Sequence, residues 1–381
     1  MRHLKFAILC LALLTILMNS AIIPIISELN AAFPDTSPEI VKLTLSLPAL
    51  TNIIFSLVVA RLSYHIPKKY LLIFALTLYT FSGIGCSFAP TFGWLLAGRA
   101  LLGVGTGMIS PLVTDLIAYF YEGEERTQMI GFSNASSNLA GIFIPLLAGW
   151  LAEFSWQYAF WVYGIGFFVL LITTFFIPVT PLNFNDNTEK HQYSQPRMVW
   201  LVILMNFLVM LIFYTLPTNL SVFIQEEAIG TSSTAGFLVS ISTLVSTLMG
   251  LIFAGLYNRF KQQLFLIGMA FSTFGFIILI CPPSLTALIL SEVLLGVGLG
   301  VIFPFFSLTI TQVTSGQQTT TALSMYSASF SLGIFMSPLF FTMLGNFTGR
   351  EAIQTEFLFA AVIFSFLSLF VSFISRKKSR E

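Results

Sequence analysis

Arg99-Ala-Leu-Leu-Gly-Val-Gly-Thr-Gly107 returns 193 positions later as Glu292-Val-Leu-Leu-Gly-Val-Gly-Leu-Gly300. Other landmarks keep the same offset: Pro111 with Pro304, Gly123 with Gly316, and Pro145 with Pro338. Ala60-Arg-Leu-Ser-Tyr-His-Ile66 answers Ala254-Gly-Leu-Tyr-Asn-Arg-Phe260 at an offset one residue longer. The chain is one half written twice, and self-similarity on this scale marks an architecture built from repeats.

The solvent of each half follows from composition. Of 381 residues, 56% are hydrophobic and 9% charged, whereas a soluble domain carries about 25% charged residues. In lipid every backbone group must pair internally, and about 20 mostly apolar residues are needed to span as a helix. Twelve stretches qualify, near 4–27, 40–63, 69–89, 93–120, 128–152, 157–179, 198–224, 234–257, 263–282, 285–312, 320–345 and 353–375. The expected fold is an all-α membrane protein with twelve transmembrane helices in two pseudo-symmetric six-helix bundles. The boundaries are an N-terminal bundle over 1–180, a polar linker over 181–197 and a C-terminal bundle over 198–381. The first apolar run is too long for the core of a signal peptide, about 7–15 residues, and reads as a span.

Composition and motifs also exclude chemistries. Cys10, Cys86 and Cys281 are scattered with no paired spacing, so neither a disulfide framework nor a metal site is expected. His3, His65 and His191 fall in expected loops. The Gly-Val-Gly-Thr-Gly run follows no strand, which removes a nucleotide-binding reading. No basic patch with aromatic interleaving points to nucleic acid. No nucleophile–base pair points to an enzyme, and no cofactor is expected.

Positive charge sets the orientation. Arg2, Lys5, Arg61, Lys68, Lys69, Lys190, Arg197, Arg259, Lys261 and the basic tail from Arg376 to Arg380 lie on one side. The other side carries Lys42 and Arg350 with acids that include Glu28, Asp35, Glu226, Glu227 and Glu356. Both termini and the linker are therefore expected on the cytoplasmic face of a bacterial-type cytoplasmic membrane.

The order and spacing of these residues resemble the major facilitator superfamily, and within it the twelve-helix drug:proton antiporters. The loop after the second span in that family reads Gly-x-Leu-Gly/Ser-Asp-Arg-x-Gly-Arg-Arg/Lys. Here Arg61, Tyr64, Lys68 and Lys69 occupy that loop, with Tyr64 in place of the Asp. Arg99, Gly103 and Gly105 match the fourth-helix pattern Arg-x-x-x-Gly-x-Gly, and Glu124-Glu125-Arg126 ends the next loop as in the family. Ala140, Ile144, Pro145, Ala148 and Gly149 stand at the fifth-helix antiporter motif, with its central Gly replaced. The family's first-helix acid is here Thr15, and Tyr119 stands where an Asp often closes the fourth helix. The resemblance implies two bundles rocking about a central cavity.

A charge deep in lipid costs at least about 2.5–3.5 kcal/mol and is functional by default. Arg99, Asp115 and Glu292 qualify. The expectation makes Glu292 the proton-sensitive acid, balanced against Arg99 or a cationic substrate, and Asp115 a gating residue reaching Lys68, Lys69 or the start of the eleventh helix. Asn19, Asn134, Asn138, Asn206, Tyr214 and Asn219 are expected to line the substrate cavity. Gly103, Gly105, Ala140, Pro145, Ala148 and Gly149 are expected to let helices approach closely. The function these features imply is alternating-access transport, as proton-coupled efflux of a small amphiphilic compound or drug by a monomer in lipid. The alternatives are a permease or exporter for one polar metabolite (a sugar, an amino-acid derivative or a metal-chelating compound) and a non-transporting membrane sensor or assembly partner.

Overall fold

The structure is a computed structural model that describes residues 2–179, 195–314, 317–348 and 353–378. Most of the expected linker, residues 181–194, lies outside the described residues. The chain separates into two compact units, Met1–Gln192 and Tyr193–Glu381. Among the described residues ten helices are long and apolar enough to cross a membrane, and two shorter apolar helices complete the pattern.

The first unit holds α1 (His3–Ala32), α2 (Pro38–Leu62), α3 (Lys68–Phe88), α4 (Phe92–Phe120), α5 (Gly123–Ala152) and α6 (Trp156–Phe176). The second holds α7 (Arg197–Glu226), α8 (Ser232–Phe260), α9 (Gln263–Ile278), α10 (Leu285–Val313), α11 (Gln317–Thr348) and α12 (Ile353–Lys378). The ninth helix ends at Ile278, four residues before the expected boundary, because Cys281-Pro-Pro283 follows and the residue ahead of a proline is pushed out of helical geometry. His3 lies inside α1 and stacks on Phe176 at 5.0 Å between ring centroids, which corrects its expected place in a loop.

Each unit repeats the other's internal packing. α4 lies against α2 and α3, as α10 lies against α8 and α9; α1 pairs with α5 and α7 with α11. The glycine ladder explains why. A Cβ on Gly103 would lie 2.7 Å from Pro48 Cα, and one on Gly107 2.6 Å from the Asn52 carbonyl oxygen. In the second unit a Cβ on Gly296 would lie 2.7 Å from the Ser242 carbonyl oxygen, and one on Gly300 2.6 Å from that of Ser246. The middle glycines, Gly105 and Gly298, face the third helix of each repeat, at Ala75 and Tyr79 or at Gly268 and Ser272. Backbone is pressed on backbone on two sides of one helix, which only glycine permits.

The helix starts repeat as well. The Thr91 hydroxyl accepts from the Trp94 amide at 3.4 Å, and the Ser284 hydroxyl from the Ala287 amide at 3.2 Å. Such caps satisfy a donor that the first turn leaves unpaired. The first helix of each repeat is interrupted near its proline. α1 changes over Ile23–Ile25 around Pro24, and α7 breaks at Tyr214 ahead of Pro217.

Candidate functional site

Two buried ionisable groups occupy the same rung of the two glycine ladders. Arg99 is wholly buried in the first unit and Glu292 is 3% exposed in the second. Each lies one turn before the glycine that presses on the neighbouring helix.

Arg99 is held by neutral partners drawn from three helices. Its Nε donates to the Thr44 carbonyl of α2 at 2.7 Å, Nη1 to the Tyr163 hydroxyl of α6 at 3.0 Å, and Nη2 to Asn19 Oδ1 of α1 at 3.1 Å. The Tyr163 hydroxyl passes its own hydrogen to the Met18 carbonyl at 3.0 Å. The Thr44 carbonyl is available for a local reason. Its helical donor would be the N–H of residue 48, and proline has none. Arg99 supplies the missing hydrogen. A guanidinium fits this role because its planar fork donates in several directions and stays charged.

Glu292 has a simpler setting. It takes a side-chain hydrogen bond from Ser242 of α8. The neighbouring Ser291 donates to the Gly275 carbonyl of α9 at 2.9 Å. Ser242 stands at the position of Pro48 in the repeat, so α8 offers a hydroxyl donor where α2 offers a bare acceptor.

At one end of the first unit Lys68 Nζ lies 3.3 Å from Asp115 Oδ2, with the two side chains 23% and 49% exposed. The same ammonium lies 6.0 Å from the centroid of the Tyr119 ring. Tyr64 and Arg61 are exposed nearby in sequence, and Lys69 is half-buried.

The polar residues expected in the cavity separate into two groups. Asn134 is exposed and Asn138 half-buried on α5, while Ala140, Pro145, Ala148 and Gly149 are buried. The others have partners within their own unit or lie buried. Asn19 is spent on Arg99. Asn206 donates to the Ser329 hydroxyl at 2.8 Å and the Tyr326 carbonyl at 3.1 Å, tying α7 to α11. Asn219 donates to Glu356 Oε2 at 2.8 Å, and Tyr214 is 6% exposed at the break in α7. These amides close contacts within a unit because a buried polar group must find a partner.

Several contributors were not found by reading the chain. Tyr163 lies in an aromatic run that gives no polar signal. Ser136 and Ser137 of α5 donate to the Leu9 and Ala12 carbonyls of α1 at 2.8 and 2.7 Å. Glu356, expected among the outer acids, is in the first turn of α12 and bonded to α7. Only the Thr44–Pro48 pair had a legible signal, a proline four residues after a carbonyl inside a span. No group of three or more His, Cys, Asp or Glu could hold a metal among the described residues.

Ten lipid-length helices and two shorter apolar ones among the described residues, in two like-packed units that each bury one ionisable group on a glycine-laddered helix, define a polytopic membrane protein of the two-repeat transporter class. The Major Facilitator Superfamily pattern matches residues 8–261 and 202–381, and the chain belongs to that superfamily. It is 24% identical over 383 aligned positions to the bacillibactin exporter of Bacillus subtilis, covering 95% of this chain and 94% of that protein. It is 24% identical to a PmrA-homologous multi-drug resistance efflux pump of Lactococcus lactis, covering 86% and 84%. A match to the thioclapurine efflux transporter tcpA of Claviceps purpurea, at 28% identity, spans only 31% of that protein. Among solved structures, a bacterial homolog of the human lysosomal transporter Spinster aligns with a TM-score of 0.82 at 16% identity, over 98% of this chain and 97% of that one. The D-xylose-proton symporter aligns with a TM-score of 0.79 at 14% identity, over 97% and 96%. The chain is a multi-pass membrane transporter with efflux-type relatives, and the relatives are transporters, not enzymes.

Proposed function

We propose that this transporter exports a small amphiphilic compound by alternating access, driven by protons that bind at Glu292. The observation that carries the proposal is the pair of buried ionisable residues on one rung of the duplicated helix. Of the two, the guanidinium keeps its charge throughout, and the carboxyl is the group able to take up and release a proton. Full-length similarity to two exporters supports the outward direction. The concentration of Lys and Arg on one side supports cytoplasmic termini and linker in a bacterial-type cytoplasmic membrane. The Lys68–Asp115 pair suits a gate on that cytoplasmic side. The reading takes the monomer, surrounded by lipid, as the working unit.

A second reading has support of its own. The relative aligned over nearly its whole length is a bacillibactin exporter, which favours one polar, metal-chelating metabolite over a broad range of drugs. Transport into inverted vesicles under an imposed pH gradient separates the two. A mixed library is offered and the accumulated compounds are identified by mass spectrometry. Many lipophilic compounds support drug efflux, and a single chelator supports the second reading. Accumulation that ignores the gradient, or that Glu292→Gln leaves proton-driven, overturns the coupling. Absence of any flux would leave a sensor or assembly partner as the better description.

A further inference from the structure

We propose that Tyr163 and Glu356 are matched positioning residues. From the sixth helix of each repeat, each clasps the interrupted first helix at its break and sets the bend that transport works through. The two stand 193 positions apart, the offset that also relates Pro24 to Pro217. Each break contains a proline with no amide hydrogen: Pro24 has none for the Ser20 carbonyl, and Pro217 none for the Phe213 carbonyl. In α1 the Ile22 amide turns to the Asn19 carbonyl at 3.0 Å, three residues back. In a regular helix that amide serves the Met18 carbonyl. The Tyr163 hydroxyl directs its hydrogen there instead, at 3.0 Å, with the Leu17 carbonyl at 3.3 Å. The same hydroxyl accepts from Arg99, which also holds the Asn19 side chain. Two consecutive residues of α1, just before its break, are thus held from α6 and α4.

In α7 the break at Tyr214 is followed by Thr215 and Asn219, which are 1% and 0% exposed. Both donate to Glu356 Oε2, Thr215 Oγ1 at 3.0 Å and Asn219 Nδ2 at 2.8 Å. The carboxylate is half-buried in the first turn of α12 and bridges the two sides of Pro217. The clasps differ in polarity, as the two rungs do. Tyr163 donates to backbone, and Glu356 accepts from side chains. They also grip one turn apart: Met18 lies six residues before its proline and Thr215 two.

A proline break is where a helix bends most readily, and bonds to a neighbouring helix restrict which bends are reached. Positions that control such bending set the rate of gated steps while lying far from the cargo. Tyr163 is wholly buried, so a change there reaches transport through α1 and not through contact with cargo. The assignment goes beyond proton binding at Glu292 and rests on the efflux reading only for its second readout.

Hydrogen–deuterium exchange of the purified full chain, read by mass spectrometry over residues 17–28 and 211–222, is the first test. Tyr163→Phe keeps the ring that packs on Tyr79 at 5.7 Å, and Glu356→Ala keeps Phe357 against Phe223 at 5.4 Å, so both helix pairs stay docked. Tyr163→Phe is expected to speed exchange at the α1 break by about fivefold, the worth of one hydrogen bond, and to leave the α7 break unchanged. Glu356→Ala is expected to do the reverse, and Glu356→Gln, which keeps an acceptor, to stay close to wild type. Ethidium efflux from expressing cells is the second readout. The maximal rate in Tyr163→Phe is expected to fall by about fivefold while KM holds. Exchange that rises equally in α9, or at neither break, overturns the clasps, and a rise at one break alone overturns the matched pair. Raised exchange with an unaltered efflux rate overturns the positioning role. A wild type that moves no ethidium counts against drug efflux, and exchange alone then decides the clasps. Should Glu356→Ala fail to fold, unchanged exchange in Thr215→Val overturns the α7 clasp equally.

Discussion

In the first unit Arg99 reaches a carbonyl that Pro48 has stripped of its donor; in the second, Glu292 takes a hydroxyl hydrogen from Ser242 at the corresponding place. The spacing between helices is the same in both units, because glycines at matching positions set it. The polarity across that spacing is reversed. A bare acceptor on α2 calls for a donor, and a donor on α8 calls for an acceptor. The duplicated half therefore constrains backbone distance strictly and leaves side-chain charge free to diverge, provided each pair changes together. The numbers of bonds differ too. Arg99 stitches α4 to three helices, while Glu292 is bonded to one serine, so the first unit uses its charge as a fastener and the second leaves its acid lightly held.

The shared backbone spacing is the first place to strike. Gly103→Val and Gly296→Val each drive side-chain atoms into the backbone of the neighbouring helix. Each is expected to abolish monodisperse protein in size-exclusion chromatography of detergent extracts. Gly131→Ala, where an added Cβ meets nothing within 4 Å, is expected to behave as wild type. Equal tolerance at all three positions would remove the ladder as the common frame.

The asymmetry in bonding predicts unequal losses next. Arg99→Ala removes three charge-assisted bonds of about 1.5–3 kcal/mol each, offset by the guanidinium's desolvation. A net loss of about 3 kcal/mol is expected, seen as a large fall in the unfolding midpoint. Glu292→Gln keeps an acceptor for Ser242 and is expected to shift stability by less than about 1 kcal/mol. If the two variants destabilise equally, the contrast between fastener and lightly held acid fails.

The proline argument sharpens the comparison further. Pro48→Ala returns a helical N–H to the Thr44 carbonyl, so that oxygen no longer depends on Arg99. In a double-mutant cycle, Arg99→Ala is expected to be milder in the Pro48→Ala background by about 0.5–1.5 kcal/mol, one hydrogen bond's net worth. Strict additivity would mean that the freed carbonyl is not what positions Arg99. The smallest effect is expected outside both ladders. Asp115→Asn breaks a half-exposed ion pair worth about 0–1 kcal/mol. Its loss is expected to shrink further in high salt, as read from melting at two ionic strengths.

Chain chemistry alone dictated the membrane, the spans, the duplication and the buried charges Arg99 and Glu292, because lipid length, hydropathy and repeated glycines are all local or periodic signals; Asp115, expected deep in lipid, is half-exposed. Partner identity was not of that kind. Asn19 sits 80 residues from Arg99 and bonds it, Tyr163 follows by 64, and Glu356 lies 137 residues beyond Asn219. Which buried polar groups meet depends on helix rotation and register, set by close packing of many apolar side chains that carry no pairing information. Folding thus gave Asn19, Asn206 and Asn219 partners inside their own units, and bonded a half-buried acid, Glu356, to α7.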